Sequence, residues 1–327
     1  MLARANFDQN AGADFAVAHA RFFRLLGGLP YPLSHRLLLS GAWLETWLRY
    51  PLSTLNLRDQ IAETFSQLDP DGRRFGLTRS VRDGFTGNLL YHQVCDLVTL
   101  LTYLEKPGFR RALTVENQDT LLQERARGPG AIVVGFRIGA YPVLPWPLAS
   151  LGFPVSMIVG NPELVRMGRG LGREFVPSLA ERIRFFSARD PLVLTRCLED
   201  LASGGIVATL LELSPIEYAK TVEVRFLDWT IRVPYGIAYL AAMTGRSMVP
   251  AFLAREAGPR FKLCFGEPLP APARDRASIF ESTQQLYRVL EKQVLMYPDQ
   301  WIGWTLLSSH MNIEELRPLA SSAPPIS

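Results

Sequence analysis

The sequence predicts an α/β protein with a mixed central sheet flanked by helices and preceded by an N-terminal helical region. From residue 114 onward, short apolar segments rich in β-branched residues alternate with helical segments. Most of these short segments are apolar throughout, without a polar residue at every second position. Strands of that kind are buried on both faces, so helices are expected on both sides of the sheet.

The N-terminal third is predicted to be helical. Residues 15–57 combine aromatic residues, leucines and arginines at helical spacing, and prolines divide them into two short helices. Tryptophan and arginine together on short helices are typical of an interfacial membrane anchor, although an amphipathic helix pair that covers the core has the same pattern. The sequence of residues 57–105 predicts further helices. We therefore predict a helical, membrane-proximal region at residues 1–110.

Residues 111–316 are predicted to form the α/β domain, and the proline-rich residues 317–327 a disordered tail. The segments at 221–226 and 230–233 are expected to pair as a hairpin. The predicted strands, including these two, are residues 131–135, 155–159, 182–186, 205–211, 221–226, 230–233, 248–253 and 261–265. The predicted helices are residues 118–127, 141–151, 162–172, 191–203, 235–244 and 279–296.

Composition narrows the class of partner. The chain has 327 residues and a net charge of +4, with arginine supplying nearly all of the excess. A mild basic excess suits an anionic membrane face or an acidic carrier protein, and it is too dispersed to indicate nucleic acid. The sequence contains no uninterrupted stretch of 18 apolar residues, so we predict no membrane-spanning helix. Three widely spaced cysteines indicate buried thiols rather than a disulfide or zinc site, and we predict neither a metal nor a cofactor.

Four segments carry a resemblance to a known family. They are residues 130–135 (G-A-I-V-V-G), 161–164 (N-P-E-L), 201–250 (in particular L-A-S-G-G-I-V-A-T-L-L-E, V-R-F-L-D-W and Y-G-I-A-Y-L-A-A-M-T-G-R-S-M-V-P) and 297–304 (Y-P-D-Q-W-I-G-W). Together they resemble the lipid A late acyltransferases, a branch of the lysophospholipid acyltransferase superfamily. The resemblance implies a glycerolipid acyltransferase-like fold at the cytoplasmic face of the inner membrane. It also implies transfer of an acyl group from acyl carrier protein or acyl-CoA to a lipid or small-molecule acceptor.

The chain departs from this family at the catalytic motif. In the family, the strand ends in His-x4-Asp or His-x4-Glu, where the histidine is the general base and the acid orients it. Here the histidine position holds Phe136 and the acid position Tyr141. Phenylalanine cannot accept a proton, and tyrosine is a weak acid near neutral pH.

Other residues are expected to contribute to the site. Glu212 corresponds to a second acidic position of the family, and a carboxylate after seven largely apolar residues is a candidate for a pocket. Ser214 and Tyr218 follow in the same loop and are expected to contact substrate. Arg137, at a strand end in an apolar segment, requires an anionic partner, which is either a ligand phosphate or Glu212.

A basic helix follows the second strand. Asn161 opens it, and Arg166, Arg169 and Arg173 lie on one face if the helix continues that far. That face suits a phosphate group, an acidic helix of a carrier protein or anionic headgroups, and a solvated helix face explains it equally well. We predict that Asn161, Arg166 and Arg169 bind substrate.

Three hypotheses follow, of which the sequence favours an acyltransferase. In the first, the acceptor is an amine that supplies its own lone pair, and Glu212 or Tyr141 assists. In the second, the alignment is shifted or a distant histidine is the base, from the set His19, His35, His92 and His310. In the third, the protein is an inactive homologue that binds an acyl chain or carrier protein for a partner enzyme, and Phe136 and Tyr141 close the substrate pocket with apolar contacts. A hydrolase of the α/β class is not favoured, because the sequence lacks a G-x-S-x-G elbow.

Overall fold

The computed structural model describes residues 25, 28–37, 40, 103–104, 112–212, 220–227, 229–256 and 260–304. A helix at residues 31–37 agrees with the short helices predicted for that region. Other predictions lie outside the described residues. They are most of the N-terminal helical region, the tail at residues 317–327, Ser214, Tyr218, Cys95, His19, His92 and His310.

A seven-stranded mixed sheet forms the centre of the described α/β region, in the order β1-β9-β8-β2-β5-β3-β4. Only β8 and β9 pair antiparallel within it, so β2, β3, β4, β5 and β8 all end at one edge, which we call the carboxyl edge. The strands are β1 Leu113–Glu116, β2 Ala131–Gly139, β3 Val155–Val159, β4 Ile183–Ser187, β5 Ile206–Leu210, β6 Thr221–Phe226, β7 Trp229–Pro234, β8 Met248–Arg255 and β9 Phe261–Phe265.

The helices are α1 Gln118–Ala126, α2 Pro145–Ser150, α3 Pro162–Phe175, α4 Pro177–Ala180, α5 Val193–Ala202, α6 Gly236–Thr244 and α7 Arg276–Met296, with 3-10 turns at Tyr141–Val143 and Pro298–Gln300. Their apolar faces form two cores, one on each side of the sheet. The first core contains α2 and α3, and the second contains α5, α6 and α7. The predicted cover of helices on both faces is confirmed.

The two cores explain why β2 is apolar along its whole length. Val133 points into the first core, and its neighbours Ile132 and Val134 point into the second. All three side chains are fully buried. Alternation of side chains between the faces of a strand therefore requires an apolar residue at every position.

The connections that leave the carboxyl edge diverge. After β2 and β3 the chain continues into α2 and α3 beside the first core, whereas the next described elements after β4 and β5, namely α5 and β6, lie beside the second core. Crevices open outside the carboxyl ends of adjacent strands whose connections leave on opposite sides. The neighbours β2 and β5 form one such pair, and the neighbours β3 and β4 form another.

Most predicted elements are confirmed, with shifted boundaries. β2 continues through a bulge to Gly139 instead of ending at residue 135, and α3 continues to Phe175, so Arg166, Arg169 and Arg173 share one helix. The predicted hairpin is confirmed as β6 and β7, which form a separate two-stranded sheet. It rests on α7, where the Gln284 side chain bonds the backbone N–H and carbonyl of Arg225 at 2.7 and 2.9 Å. The short edge strand β1 was not predicted.

Cys197 and Cys264 are buried free thiols, as predicted, and burial raises the pKa of each to about 12. Among the described residues, no three potential ligands of the His, Cys, Asp or Glu type cluster around a metal position. In the same part of the chain, no helix combines the length and the apolar character needed to cross a membrane.

Candidate functional site

Glu212 lies at the carboxyl edge, two residues beyond the end of β5, and three chain segments meet at its carboxylate. The backbone N–H of Arg137 on β2 donates to both carboxylate oxygens, at 3.1 Å each. The indole N–H of Trp301 donates to Oε1 at 2.9 Å. The carboxylate is therefore fixed in the crevice between β2 and β5.

Residues 298–304, here called the closing segment, cover one side of this crevice. Trp301 forms an antiparallel bridge with Ile138, and the N–H of Ile302 donates to the carbonyl of Arg137 at 3.3 Å. The Gln300 side chain accepts the N–H of Arg255 at 2.8 Å and donates to its carbonyl at 3.0 Å. The segment is thus hydrogen-bonded to the ends of both β2 and β8.

Gly139 allows the chain to leave β2 at this point. Its φ of +58° lies in the left-handed region, and a Cβ there would collide with the carbonyl oxygen of Leu253 on the adjacent strand. The next residue, Ala140, donates its N–H to that same carbonyl at 2.9 Å. The turn that follows returns Tyr141 to the second core, beside the Glu212 crevice.

The crevice contains interacting ionisable groups with little access to water. Burial raises the pKa of Glu212, against the opposing effects of the Arg137 charge and of the hydrogen bonds from Trp301 and the Arg137 N–H. Burial also raises the pKa of Tyr141, with Arg137 opposing and Glu212 reinforcing the shift. The pKa of Tyr287 is raised well above its usual value by burial and then by the Glu212 charge. A proton is therefore held more readily by each of these groups than in water.

Arg137 supplies the positive charge of the crevice. Its side chain is only 8% exposed, and its buried Nε has no hydrogen-bond partner among the described residues. A guanidinium in such surroundings favours an anion or a polarised oxygen beside it. The structure thus brings together Glu212, Arg137 and Tyr141, which were all predicted from the sequence.

Phe136 has a different position. Its side chain is fully buried in the second core, within the apolar cluster that also contains Tyr141. It supplies an apolar surface to that cluster and no group that exchanges protons.

Two residues of the crevice were missed in the sequence. Trp301 was part of a recognised motif but had no role, and Tyr287 was not selected. Tyr287 occupies a core position of α7 next to Leu286, and its ring meets that of Phe226 edge to face at 5.7 Å. A tyrosine at a core position of an amphipathic helix was the available signal, since its hydroxyl needs a polar environment.

A second, open cleft lies at the ends of β3 and β4, with a volume of about 410 Å³. Four arginines line it, namely Arg166, Arg169, Arg189 and Arg196. Asp190 lies among them and bonds Arg196 at 2.8 Å, and Glu163 bonds Arg166 at 3.1 Å. This cluster is called the arginine cleft below.

The arginine cleft contains two of the three arginines that the sequence placed on one helix face, Arg166 and Arg169. Arg173, Arg182 and Arg184 do not line it, and Arg184 instead pairs with the buried Asp200. Asn161 caps α3, where its Oδ1 accepts the N–H of Leu164 at 2.9 Å. The predicted substrate contacts of Arg166 and Arg169 thus fall in a cleft, whereas Asn161 has a structural role at its rim.

His35 is the one candidate histidine within the described residues. It is buried in the helix at residues 31–37, and its pKa is lowered by burial and secondarily by the charge of Arg255. Arg255 ends β8, one strand beyond the Glu212 crevice. The electrostatic surroundings of His35 therefore differ from those of Glu212 and Tyr141.

The chain matches no protein-family model, and no curated protein matches it. Its function is therefore inferred from the residues of the two crevices.

Proposed function

We propose that this protein is an acyltransferase that works without a histidine base. It moves an acyl group from a thioester donor, acyl carrier protein or acyl-CoA, to an amine of a lipid or small-molecule acceptor. The reaction takes place in the Glu212 crevice, with the protein bound peripherally at the cytoplasmic face of the inner membrane. The observation that supports this proposal is the Glu212 carboxylate, held at the carboxyl edge beside a buried arginine.

Glu212 acts as the base in this scheme. The acceptor nitrogen attacks the thioester carbonyl carbon, a C–N bond forms, and the C–S bond breaks when the tetrahedral intermediate collapses. Glu212 takes the proton that the nitrogen loses, and that proton leaves with the thiol. Because its pKa is raised, Glu212 is a stronger base than an ordinary carboxylate.

Arg137 stabilises the negative charge that develops on the thioester oxygen. Its guanidinium is buried, and its Nε is without a hydrogen-bond partner among the described residues, so no reorganisation is needed when the oxyanion forms. Removal of one such donor in other enzymes costs roughly 10²–10³ in kcat. Arg137 and Glu212 thus divide the task between charge stabilisation and proton transfer.

The choice of an amine as acceptor rests on Phe136, which stands where the resembled family has its histidine base. An alcohol needs a strong base to become a nucleophile, and the fully buried Phe136 cannot provide one. An amine carries a lone pair and needs only a group that accepts its proton after attack. The chemistry of Glu212 suits the amine.

A second candidate is supported by a different observation. Both oxygens of Glu212 already accept hydrogen bonds from the protein, and Phe136 and Tyr141 close the adjacent cluster with apolar surface. This arrangement suits an inactive homologue that binds an acyl chain or carrier protein and assists a partner enzyme.

Intact mass spectrometry separates the two candidates. Purified protein is mixed with acyl carrier protein loaded with an acyl group and with an amine or an alcohol acceptor. We expect the amine to gain the acyl mass, and Glu212→Gln to slow this transfer at least about tenfold, which is about 1.4 kcal/mol of barrier. Carrier binding without any loss of its acyl group would refute the enzyme and support the binding protein.

Two further variants make the result specific. Glu212→Asp keeps the carboxylate but shortens the side chain by one methylene. We therefore expect acyl transfer by Glu212→Asp to be slowed less than transfer by Glu212→Gln. Glu223→Gln removes an exposed carboxylate from β6 and should leave the rate unchanged. Thermal unfolding of each variant shows whether a lost rate reflects lost structure, because the glutamine amide would place a donor where Glu212 now accepts.

A further inference from the structure

We propose that Trp301 is the positioning residue of the proposed reaction, and that it makes Oε2 of Glu212 the oxygen that takes the proton. The inference rests on the proposed function and deepens it, because it assigns the base to one atom and the orientation of that atom to one side chain. Oε1 accepts the indole N–H of Trp301 at 2.9 Å, and both oxygens share the backbone N–H of Arg137 at 3.1 Å. Among the described residues other than Glu212 itself, Oε1 therefore has two donors and Oε2 has one.

The unequal hydrogen bonding of the two oxygens divides their roles. Each carboxylate oxygen has two lone pairs, so the two donors occupy Oε1, whereas Oε2 keeps a lone pair for the acceptor amine. In the proposed reaction, Oε2 takes the N–H proton as the C–N bond forms and gives it to the thioester sulfur as the C–S bond breaks. The bond from Trp301 opposes rotation of the carboxylate, because rotation would break it, and Oε2 thus keeps one direction.

The indole of Trp301 is itself held by its neighbours. The side chain is buried, and its ring meets the rings of Phe226 and Trp304 edge to face, at 5.5 and 4.7 Å between centres. Its backbone forms the antiparallel bridge with Ile138 on β2. A Cβ at Gly303 would overlap the six-membered ring of the indole, so a glycine is needed where the chain passes this ring. The donor is therefore fixed before any substrate binds.

The same hydrogen bond affects how strongly Glu212 holds a proton. Burial raises the pKa of Glu212, and the indole N–H opposes this shift because it stabilises the ionised carboxylate. The other charged or titratable groups that interact with Glu212 are Arg137 on β2, Tyr141 in the turn after β2, and Tyr287 on α7. Removal of the indole N–H leaves these groups in place, so the pKa of Glu212 should rise further.

An NMR titration of the Glu212 carboxyl tests the proposal without any need for acyl transfer. The protein is labelled with ¹³C at the side-chain carboxyl of glutamate, and Glu212→Gln identifies the resonance. We expect Trp301→Phe, which keeps an aromatic ring and loses the N–H, to move the titration midpoint to higher pH by about one unit. Gly303→Ala keeps the indole but displaces its ring, and the midpoint should move in the same direction.

Trp304→Phe is the matched control. The indole N–H of Trp304 donates to the carbonyl of Pro298 at 2.7 Å, so this variant also loses an indole hydrogen bond of the closing segment but leaves the bond to Glu212 in place. We expect its titration midpoint to equal that of the native protein. An unchanged midpoint in Trp301→Phe would overturn the proposal. Equal shifts in both variants would overturn it as well, since the cause would then be lost packing.

The native protein offers a measurement that does not depend on whether Trp301→Phe folds. In proton–nitrogen correlation spectra, the indole N–H signal of Trp301 should shift with the same midpoint as the Glu212 carboxyl, because its acceptor loses charge there. The indole signal of Trp304 should not follow that midpoint, and the Trp301 signal should stop titrating in Glu212→Gln. If every indole signal ignores the titration of Glu212, the hydrogen bond does not exist in solution and the proposal is wrong.

The pH profile of acyl transfer then separates positioning from packing. The rate should level off above the midpoint, where Glu212 is ionised. On this plateau Trp301→Phe should remain at least about tenfold slower than the native protein, because Oε2 no longer keeps one direction. A plateau equal to that of the native protein would overturn the positioning role. If the native protein transfers no acyl group while the expected titrations are observed, the proposed reaction is refuted and the control of Glu212 by Trp301 is supported.

Discussion

Glu212 and Asp190 both follow strands that end at the carboxyl edge, yet the protein surrounds them differently. Glu212 is fixed by a backbone N–H, an indole N–H and the charge of a buried arginine. Asp190 bonds Arg196 at 2.8 Å, with exposed side-chain fractions of 25% for Asp190 and 42% for Arg196. The first carboxylate has been removed from water, whereas the second remains hydrated within a cluster of arginines.

The contrast shows which level of structure determines which property. Strand order and the direction of the connections place both crevices, because each lies between neighbours whose chains depart to opposite faces. The closing segment, which covers only the Glu212 crevice, then determines how the two sites differ in chemistry. It shields the Glu212 crevice and favours proton exchange there, whereas the arginine cleft stays open and favours binding of charge.

The largest effect on stability is expected at the backbone that forms the covered crevice. Gly139→Ala should lower the free energy of unfolding by about 3 kcal/mol, because it combines a left-handed φ with a collision against the Leu253 carbonyl. Gly236→Ala is the matched control, since that glycine is exposed at the start of α6 and has open space around its Cβ position. Chemical denaturation measures both, and equal stability of the two variants would show that the turn at Gly139 tolerates a side chain.

A smaller effect is expected in the pH dependence of stability. The folded pKa of Glu212 is raised above its ordinary value of 4.5, so the folded state holds the proton more tightly than the unfolded state does. The stability contribution of Glu212 is therefore full below about pH 4.5 and is lost as the pH rises through the folded pKa. The unfolding free energy of the native protein minus that of Glu212→Gln should fall across this interval.

The measurement is a series of denaturation curves for the two proteins at matched pH values. Subtraction removes the carboxyls with lowered pKa, such as Asp275, because they are common to both proteins. A difference that rises with pH would mean that the Arg137 charge outweighs burial at Glu212. Glu212 and Asp190 would then differ in how strongly each carboxylate interacts with an arginine, and not in how far each is removed from water.

The sequence predicted the sheet well because its strands are apolar on both sides and are separated by glycine and proline. It did not predict β1, a four-residue edge strand in which buried and exposed positions are mixed. Glu212, Arg137 and Tyr141 were selected because each stands at the end of a strand or in a matched motif. Tyr287 was missed because it joins the site through α7, which is distant along the chain, and no local pattern specifies that packing.

The arginines show a similar limit. Helical spacing put Arg166, Arg169 and Arg173 on one face on the condition that the predicted helix at residues 162–172 continued further, which α3 does. Spacing does not determine where a neighbouring strand ends. Arg189 joins the cleft from the turn after β4 and Arg196 from α5, whereas Arg173, near the end of α3, does not line it. The tertiary structure determines which charged residues from different elements lie together, and the periodicity of a single helix does not predict it.

The smallest effect is expected for the ion pair at the rim of the arginine cleft. Arg166 and Glu163 are 72% and 51% exposed, so Arg166→Gln should change the melting temperature by less than about 1 °C. The same substitution at Arg184 removes a partner of Asp200, which is buried and also accepts the Ser156 hydroxyl. Because Arg184 is itself 55% exposed, the expected loss is modest, about 1–2 kcal/mol. Equal melting temperatures for the two variants would show that burial of one partner does not distinguish these ion pairs. A lower melting temperature for Arg184→Gln alone would show that the Arg166–Glu163 pair contributes little to stability, which leaves these charges at the cleft rim available for a ligand.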